Sequence, residues 1–258
     1  ETARFYQDIV GLELVMTDYR SYRPDHLVPE DAFPRTVVVD EPTLHAMLGG
    51  AFPGLAASFD PYVNLDDPAN NTLKLACVFQ FYAMYLSEGL STAEAYARAQ
   101  AAASGNVSAA YINNVFAAAG DPLPFTPAEL LAMPVGLSYR LVGKQALFSS
   151  GGSRYQAIKD SYELLAAYLY VATAGASEDA LSAPQEAWMR ATITNSPATW
   201  KILASSVSMT PMFFDFTHPV IAPLLPPGFP PQLQTRMSLN VDQYDGFPNK
   251  RAELLDFI

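Results

Sequence analysis

Residues 195–209, NSPATWKILASSVSM, pass from a Ser-Pro turn into a run where Trp200, Ile202, Leu203, Ala204 and Val207 are apolar. Alternation that becomes continuous is the pattern of a strand entering a sheet. Farther on, Asp245-Gly246-Phe247-Pro248 makes a turn and a helix follows. Pro248 stands in the first helical turn, where its missing N–H breaks no hydrogen bond. Leu254, Leu255 and Ile258 then form an apolar stripe opposite Lys250, Arg251 and Glu253. With the helical pattern around Gln185, the order is helix, strand, loop, helix, which predicts a layered α/β domain.

A second strand is expected at Leu12–Thr17, followed directly by Asp18–Arg23. Ligands of open α/β sheets collect beyond the carboxyl ends of strands, so Asp18, Arg20, Arg23 and His26 fall where chemistry can occur. An Asp and an Arg two residues apart are expected to pair and fix the loop, here Asp18 with Arg20. Arg23 and His26 are the candidates for lining an anion site. The Pro-punctuated segment Pro24–Pro34 adds Asp25, Glu30 and Asp31 near His26, but their spacing matches no metal-ligand set and reads as a solvated loop. Thr36–Val39 reads as a short strand or an extended crossing.

Between Pro42 and about Ala180 the sequence turns alanine-rich and helical in pattern. Helices are expected from Thr72 to Ser87, and from Thr92 to Ala103 with Ser91, Thr92 and Glu94 at the cap. Further helices are expected over Asn106–Ala119, after Thr126-Pro127, and from about Tyr155 to Ala174. The Gly-rich stretch Phe148–Tyr155, FSSGGSRY, leads into the last of these. It reads as a connection in which Ser153 caps the helix, or as a loop presenting Arg154 or Tyr155 to a ligand. Lys159 and Asp160 read as members of helix-surface pairs. The pattern thus divides into strand and loop at 1–40, an alanine-rich helical stretch at 41–180, and helix, strand, loop and helix at 181–258.

Half of the 258 residues are apolar and only 16% are charged, so burial is extensive. The net charge of -11 argues against a nucleic-acid surface, which needs clustered Lys and Arg. Cys77, the single cysteine, lies in an apolar run of helical pattern too short to span a bilayer, and reads as a core residue. No Gly-x-Ser-x-Gly elbow accompanies the three histidines, His26, His45 and His218. The loop holding His218, Phe213–Pro231, is rich in proline and is expected to be irregular. Asp242 and Asp245 flank Tyr244 and read as turn and cap residues.

Three segments carry a resemblance. Gln185–Met209, QEAWMRATITNSPATWKILASSVSM, and Asn240–Leu255, NVDQYDGFPNKRAELL, resemble the PhoD-like alkaline phosphatase/phosphodiesterase family of metallophosphoesterases. So does Leu12–Arg23, LELVMTDYRSYR, which is similar to that family's strand ending in Asp-x-Arg-x-Tyr-Arg. The resemblance implies part of an α/β/β/α metallophosphoesterase sandwich carrying a large, mainly α-helical insertion. It implies a small phosphate-ester substrate, for which Arg20, Arg23, His26 and Arg154 are the candidate contacts, calcium and iron as cofactors, and a periplasmic or secreted location; composition and hydropathy add no nucleic acid and no membrane span. The superfamily's metal motifs Gly-Asp-x-x-Tyr, Asp-Asp-His and Gly-Asp-x-His do not occur here, so no catalytic or metal-binding residue is carried over.

The sequence begins with ETARFYQ and ends within a helical pattern, and it reads as an internal piece of a longer polypeptide, its partners being the N- and C-terminal portions that hold the metal ligands. Two readings result: the central portion of a phosphoric ester hydrolase, inert by itself, or a non-catalytic helical interaction or scaffold module that retains phosphatase-like segments.

Overall fold

The computed structural model describes residues 5–9, 11–49, 58–143, 155–229 and 233–258. The chain is mixed α/β and divides into two compact units. The first comprises 1–29, 155–159 and 163–258; the second comprises 30–154 and 160–162.

The first unit is built on β1 (Phe5–Ile9), β2 (Leu12–Thr17) and β8 (Trp200–Ser205). β1 pairs antiparallel with β2, Ile9 opposite Leu12, and Gly11 stands at φ 78°, a backbone setting that glycine adopts without a Cβ clash. β2 then pairs in parallel with β8, Leu12 opposite Trp200 and Thr17 opposite Ser205. The two expected strands are thus neighbours although residues 18–199 lie between them. β8 is an outer strand of this sheet, and Trp200 and Ile202 are exposed on it. A second small sheet orders β7 (Ala157–Ile158), β10 (Arg236–Ser238) and β9 (Phe213–Asp215), all antiparallel.

Alternation in β2 points Val15 and Thr17 inward. Val15 joins a core with Tyr19, Leu181, Met189, Tyr244, Phe247 and Leu254. Met189 comes from the helix Ala183–Asn195 and Leu254 from the helix Pro248–Phe257, which starts with Pro248 as expected. Its expected stripe narrows to Leu254, since Leu255 and Ile258 are exposed. Phe247 provides no side-chain cap for this last helix. The buried carboxylate of Glu178 takes that role instead, accepting from Lys250 N at 2.8 Å and Asn249 Nδ2 at 2.7 Å.

The second unit contains a four-stranded antiparallel sheet, β3 (Val37–Asp40), β6 (Val135–Ser138), β4 (Asp60–Asn64) and β5 (Asn106–Ser108). Helices predominate over 41–180, as expected, and short strands that the expectation did not include run between them. The expected helix Asn106–Ala119 begins as a strand, and residues 155–159 and 163–180 of the stretch belong to the first unit. Local pattern missed these strands because they are only a few residues long, and their stability comes from partners distant in sequence.

The helices of this unit are α1 (Glu41–Leu48), α2 (Asn71–Ser87), α3 (Thr92–Ala102), α4 (Ala109–Ala119), α5 (Pro127–Ala132) and α6 (Tyr139–Val142). Ser91 with Glu94 and Thr126 with Glu129 form the reciprocal capping boxes that start α3 and α5. Cys77, Phe81 and Tyr85 of α2 pack with Ala95 and Ala99 of α3 and Ile112 and Phe116 of α4. Burial pushes the Cys77 thiol up to about 12, partly opposed by Arg35, so it stays protonated as a small apolar residue.

Arg35 is almost fully buried in this core. It donates to Tyr85 Oη at 2.7 Å and to Ala102 O at 3.2 Å, with its guanidinium 4.1 Å from the Phe81 ring centroid. Hydrogen bonds and aromatic faces thereby offset its desolvation.

The β3–β6 pair approaches too closely for a side chain at Gly136. A Cβ there stands 2.6 Å from both Val37 Cγ1 and Val39 O. Gly136→Ala is therefore expected to lower stability by about 1–3 kcal/mol, seen as a lower urea midpoint. An unchanged midpoint would contradict this packing.

Candidate functional site

Because β2 and β8 run parallel, their carboxyl ends lie side by side, and the segment after Thr17 emerges there. Its first residue is held by a buried amide. Gln185 Oε1 accepts from Asp18 N at 2.7 Å, while Gln185 Nε2 donates to Asp18 O at 2.8 Å and to Leu181 O at 2.8 Å. One side chain thus satisfies both polar groups of Asp18's backbone and ties the loop to the helix Ala183–Asn195.

The next residue, Tyr19, turns inward against Tyr244, ring centroids 4.8 Å apart, and against Phe247 at 5.8 Å. Asp18 does not pair with Arg20 as expected. Its carboxylate accepts from Ser21 N at 3.1 Å, and the Ser21 hydroxyl first, then the Ser21 and Arg20 backbone, hold it below the ordinary carboxylate range. A short Asx-type turn satisfies the acid locally and releases the guanidinium for a distant partner.

That partner is Asp242. Arg23 N donates to Tyr19 O at 3.1 Å, closing a turn that carries both arginines. Arg23 Nη2 stands 2.8 Å from Asp242 Oδ1, His26 Nε2 3.4 Å from the same oxygen, and Arg20 Nη2 3.5 Å from Oδ2. Asp242 itself is fixed by its backbone: its N–H donates to Asn240 Oδ1 at 3.0 Å, and Val241 N donates to Tyr155 O at 2.7 Å. The Tyr155 ring meets the His26 ring edge to face at 5.2 Å. His26 is buried, which corrects its reading as part of a solvated loop.

The structure therefore brings together Arg20, Arg23 and His26 from the expected candidates. Arg154 and the Gly-rich stretch before Tyr155 lie outside the described residues. Asp242, read from sequence as a turn residue, is the acid at the centre of the cluster. Local sequence says only that it sits in a turn, because its partners lie at the other end of the chain. Asp245 lies in the short turn Tyr244–Gly246, but its carboxylate does not cap that turn: it accepts from Met212 N at 2.9 Å and pairs with Arg251 at 2.8 Å.

Tyr244 is buried, and that burial raises its hydroxyl far above the usual phenol range. It stays neutral and bonds Ser205 at the carboxyl end of β8. Lys159 pairs with Glu163 and His45 with Glu41, as helix-surface pairs do. His218 lies in a turn after β9, a strand within the segment expected to be irregular, and its Nδ1 accepts from Val220 N at 3.2 Å.

Among the described residues no group of His, Cys, Asp and Glu stands together so as to hold a metal ion, and no helix is long and apolar enough to cross a membrane. A groove of about 420 Å³ between α2 and α4 is lined by Gln80, Met84, Tyr111, Asn114 and Val115, among others. None of its lining residues is ionised, which suits it poorly to a phosphate ester.

Residues 158–258 match the family model described as PhoD-like phosphatase. No curated protein and no solved structure matches the chain. The match takes in two of the three resembling segments. The third, Leu12–Arg23, lies outside it but is paired to β8 inside it.

A carboxyl depressed on folding contributes stability above its ordinary value of 3.8, and that contribution is lost as pH falls through the depressed folded value. Asp18→Asn is therefore expected to lower the unfolding midpoint at about pH 6 and to leave it unchanged at about pH 2. Equal penalties at both values would rule out an ionised Asp18 as the clasp of this loop.

Proposed function

We propose that this chain, whose residues 158–258 are PhoD-like phosphatase sequence, is the central portion of a metal-dependent phosphoric ester hydrolase acting on mono- or diesters. The observation that carries the reading is the convergence of Arg20, Arg23 and His26 on one carboxylate at the carboxyl ends of β2 and β8. A site that gathers two guanidiniums and an imidazole around an oxyanion matches the oxygens of a phosphoryl group. The sheets of the first unit are proposed to form part of an α/β/β/α sandwich, with the second unit as its insertion.

In this reading Arg23 and Arg20 grip non-bridging phosphoryl oxygens, and His26, shielded by Tyr155, donates from the inner side. Metal ions, the cofactors implied by the family, would supply electrophilic stabilisation of the ester. The described residues offer no set that fits one, so the contribution of this chain is binding and orientation. The 258-residue chain alone is proposed to bind phosphate esters without turning them over.

The test is hydrolysis of p-nitrophenyl phosphate and bis-p-nitrophenyl phosphate by the full polypeptide, with and without a chelator. Chelator-sensitive hydrolysis is expected, and Arg23→Ala should lower kcat/KM by about 10–100-fold, the size of one lost charge-assisted hydrogen bond. Hydrolysis of neither ester, or full activity in Arg23→Ala, contradicts the proposal.

A further inference from the structure

Asp242 is an unexpected residue to find at the centre of an anion site, since its carboxylate competes with the ligand for the same guanidiniums. The three partners are not held alike. Arg23 is close, at 2.8 Å, with its side chain 20% exposed, and its Nη1 also donates to Pro24 O at 3.3 Å. His26 is enclosed, its side chain 2% exposed. Arg20 is farther, at 3.5 Å, and its side chain is 64% exposed. Two partners are thus fixed inside and one extends into solvent.

Other acids on the same segment are already engaged. Asp18 accepts from Ser21 N, and Asp25 accepts from His26 N at 2.8 Å. Asp242 is the acid that both guanidiniums meet, and it does so from a rigid backbone.

Resting on the phosphate-binding reading above, we propose that Asp242 is a positioning residue. It anchors Arg23 and His26, leaves Arg20 as the outer arm that first meets the phosphate, and offsets one of the two guanidinium charges. The offset sets how strongly the site favours doubly over singly charged phosphate groups. Removing the carboxylate's charge raises the local positive charge by one, and this favours a dianion over a monoanion through Coulomb attraction alone. Loss of structure has no such sign: it weakens both ligands together.

The experiment titrates the 258-residue chain by calorimetry at about pH 8 with phenyl phosphate, a dianion there because the second phosphate ionisation lies near 6, and with diphenyl phosphate, a monoanion. Asp242→Asn is expected to shift the affinity ratio toward phenyl phosphate by about fivefold, whatever its effect on either affinity alone, and Asp242→Glu to restore the wild-type ratio. Arg20→Gln, at an exposed side chain that leaves folding intact, is expected to move the ratio the other way by about threefold. The Arg20 variant carries the test if Asp242→Asn does not fold.

An unchanged ratio in a folded Asp242→Asn, or in Arg20→Gln, overturns the positioning role while phosphate binding stands. Absence of binding by the wild type to either ester overturns the phosphate-binding reading itself, and the inference with it.

Discussion

The parallel pairing of β2 with β8 is the constraint from which the rest of the first unit follows. Parallel neighbours cannot be joined by a hairpin, so the chain between them must make a long connection. Here that connection contains the whole 30–154 portion of the second unit. Once Leu12 is opposite Trp200, the residues after Thr17 and after Ser205 share one end of the sheet. Tyr19, Tyr244 and Phe247 then fill the space behind that end, and the loop bearing the arginines lies over them. Gln185 matters for the same reason. Its buried amide converts a strand end, where backbone groups lack ladder partners, into a fixed platform.

The electrostatics of the loop work against the protein as a whole. A chain of net charge -11 repels anions at long range, so an anion site must depend on close, oriented donors. Asp18 and Asp25 each accept a backbone N–H within their own segment, from Ser21 and from His26. Asp242 alone is left to receive Arg20 and Arg23 among the ion pairs described at this end of the sheet.

How much of this was legible in the sequence depends on the range over which each feature is decided. The cap at Ser91–Glu94, the helix starts at Thr126-Pro127 and Pro248, and the strands at Leu12 and Trp200 are written in adjacent residues, and they were readable. The strands Asn106–Ser108 and Val135–Ser138 were not, because they are three and four residues long, too short for alternation to show, and they pair with β4 and β3 by tertiary contact. Arg20, Arg23 and His26 could be picked out because they follow a strand end. Their acceptor could not, since an aspartate in a turn looks the same whether it caps a backbone or binds two arginines. The expected Asp18–Arg20 pair failed through that ambiguity: the nearer backbone donors won over the flexible side chain.

The most direct measurement is a disulfide scan across the strand pair, in a Cys77→Ser background. Leu14→Cys with Ile202→Cys places the two thiols on register partners of adjacent strands, within the separation a disulfide spans. The account predicts near-complete cross-linking under mild oxidation, with the cross-linked protein retaining its phosphate ester affinity. Failure of that pair to link, or linking that abolishes phosphate ester binding, would show that these strands are not the fixed frame on which the arginines converge.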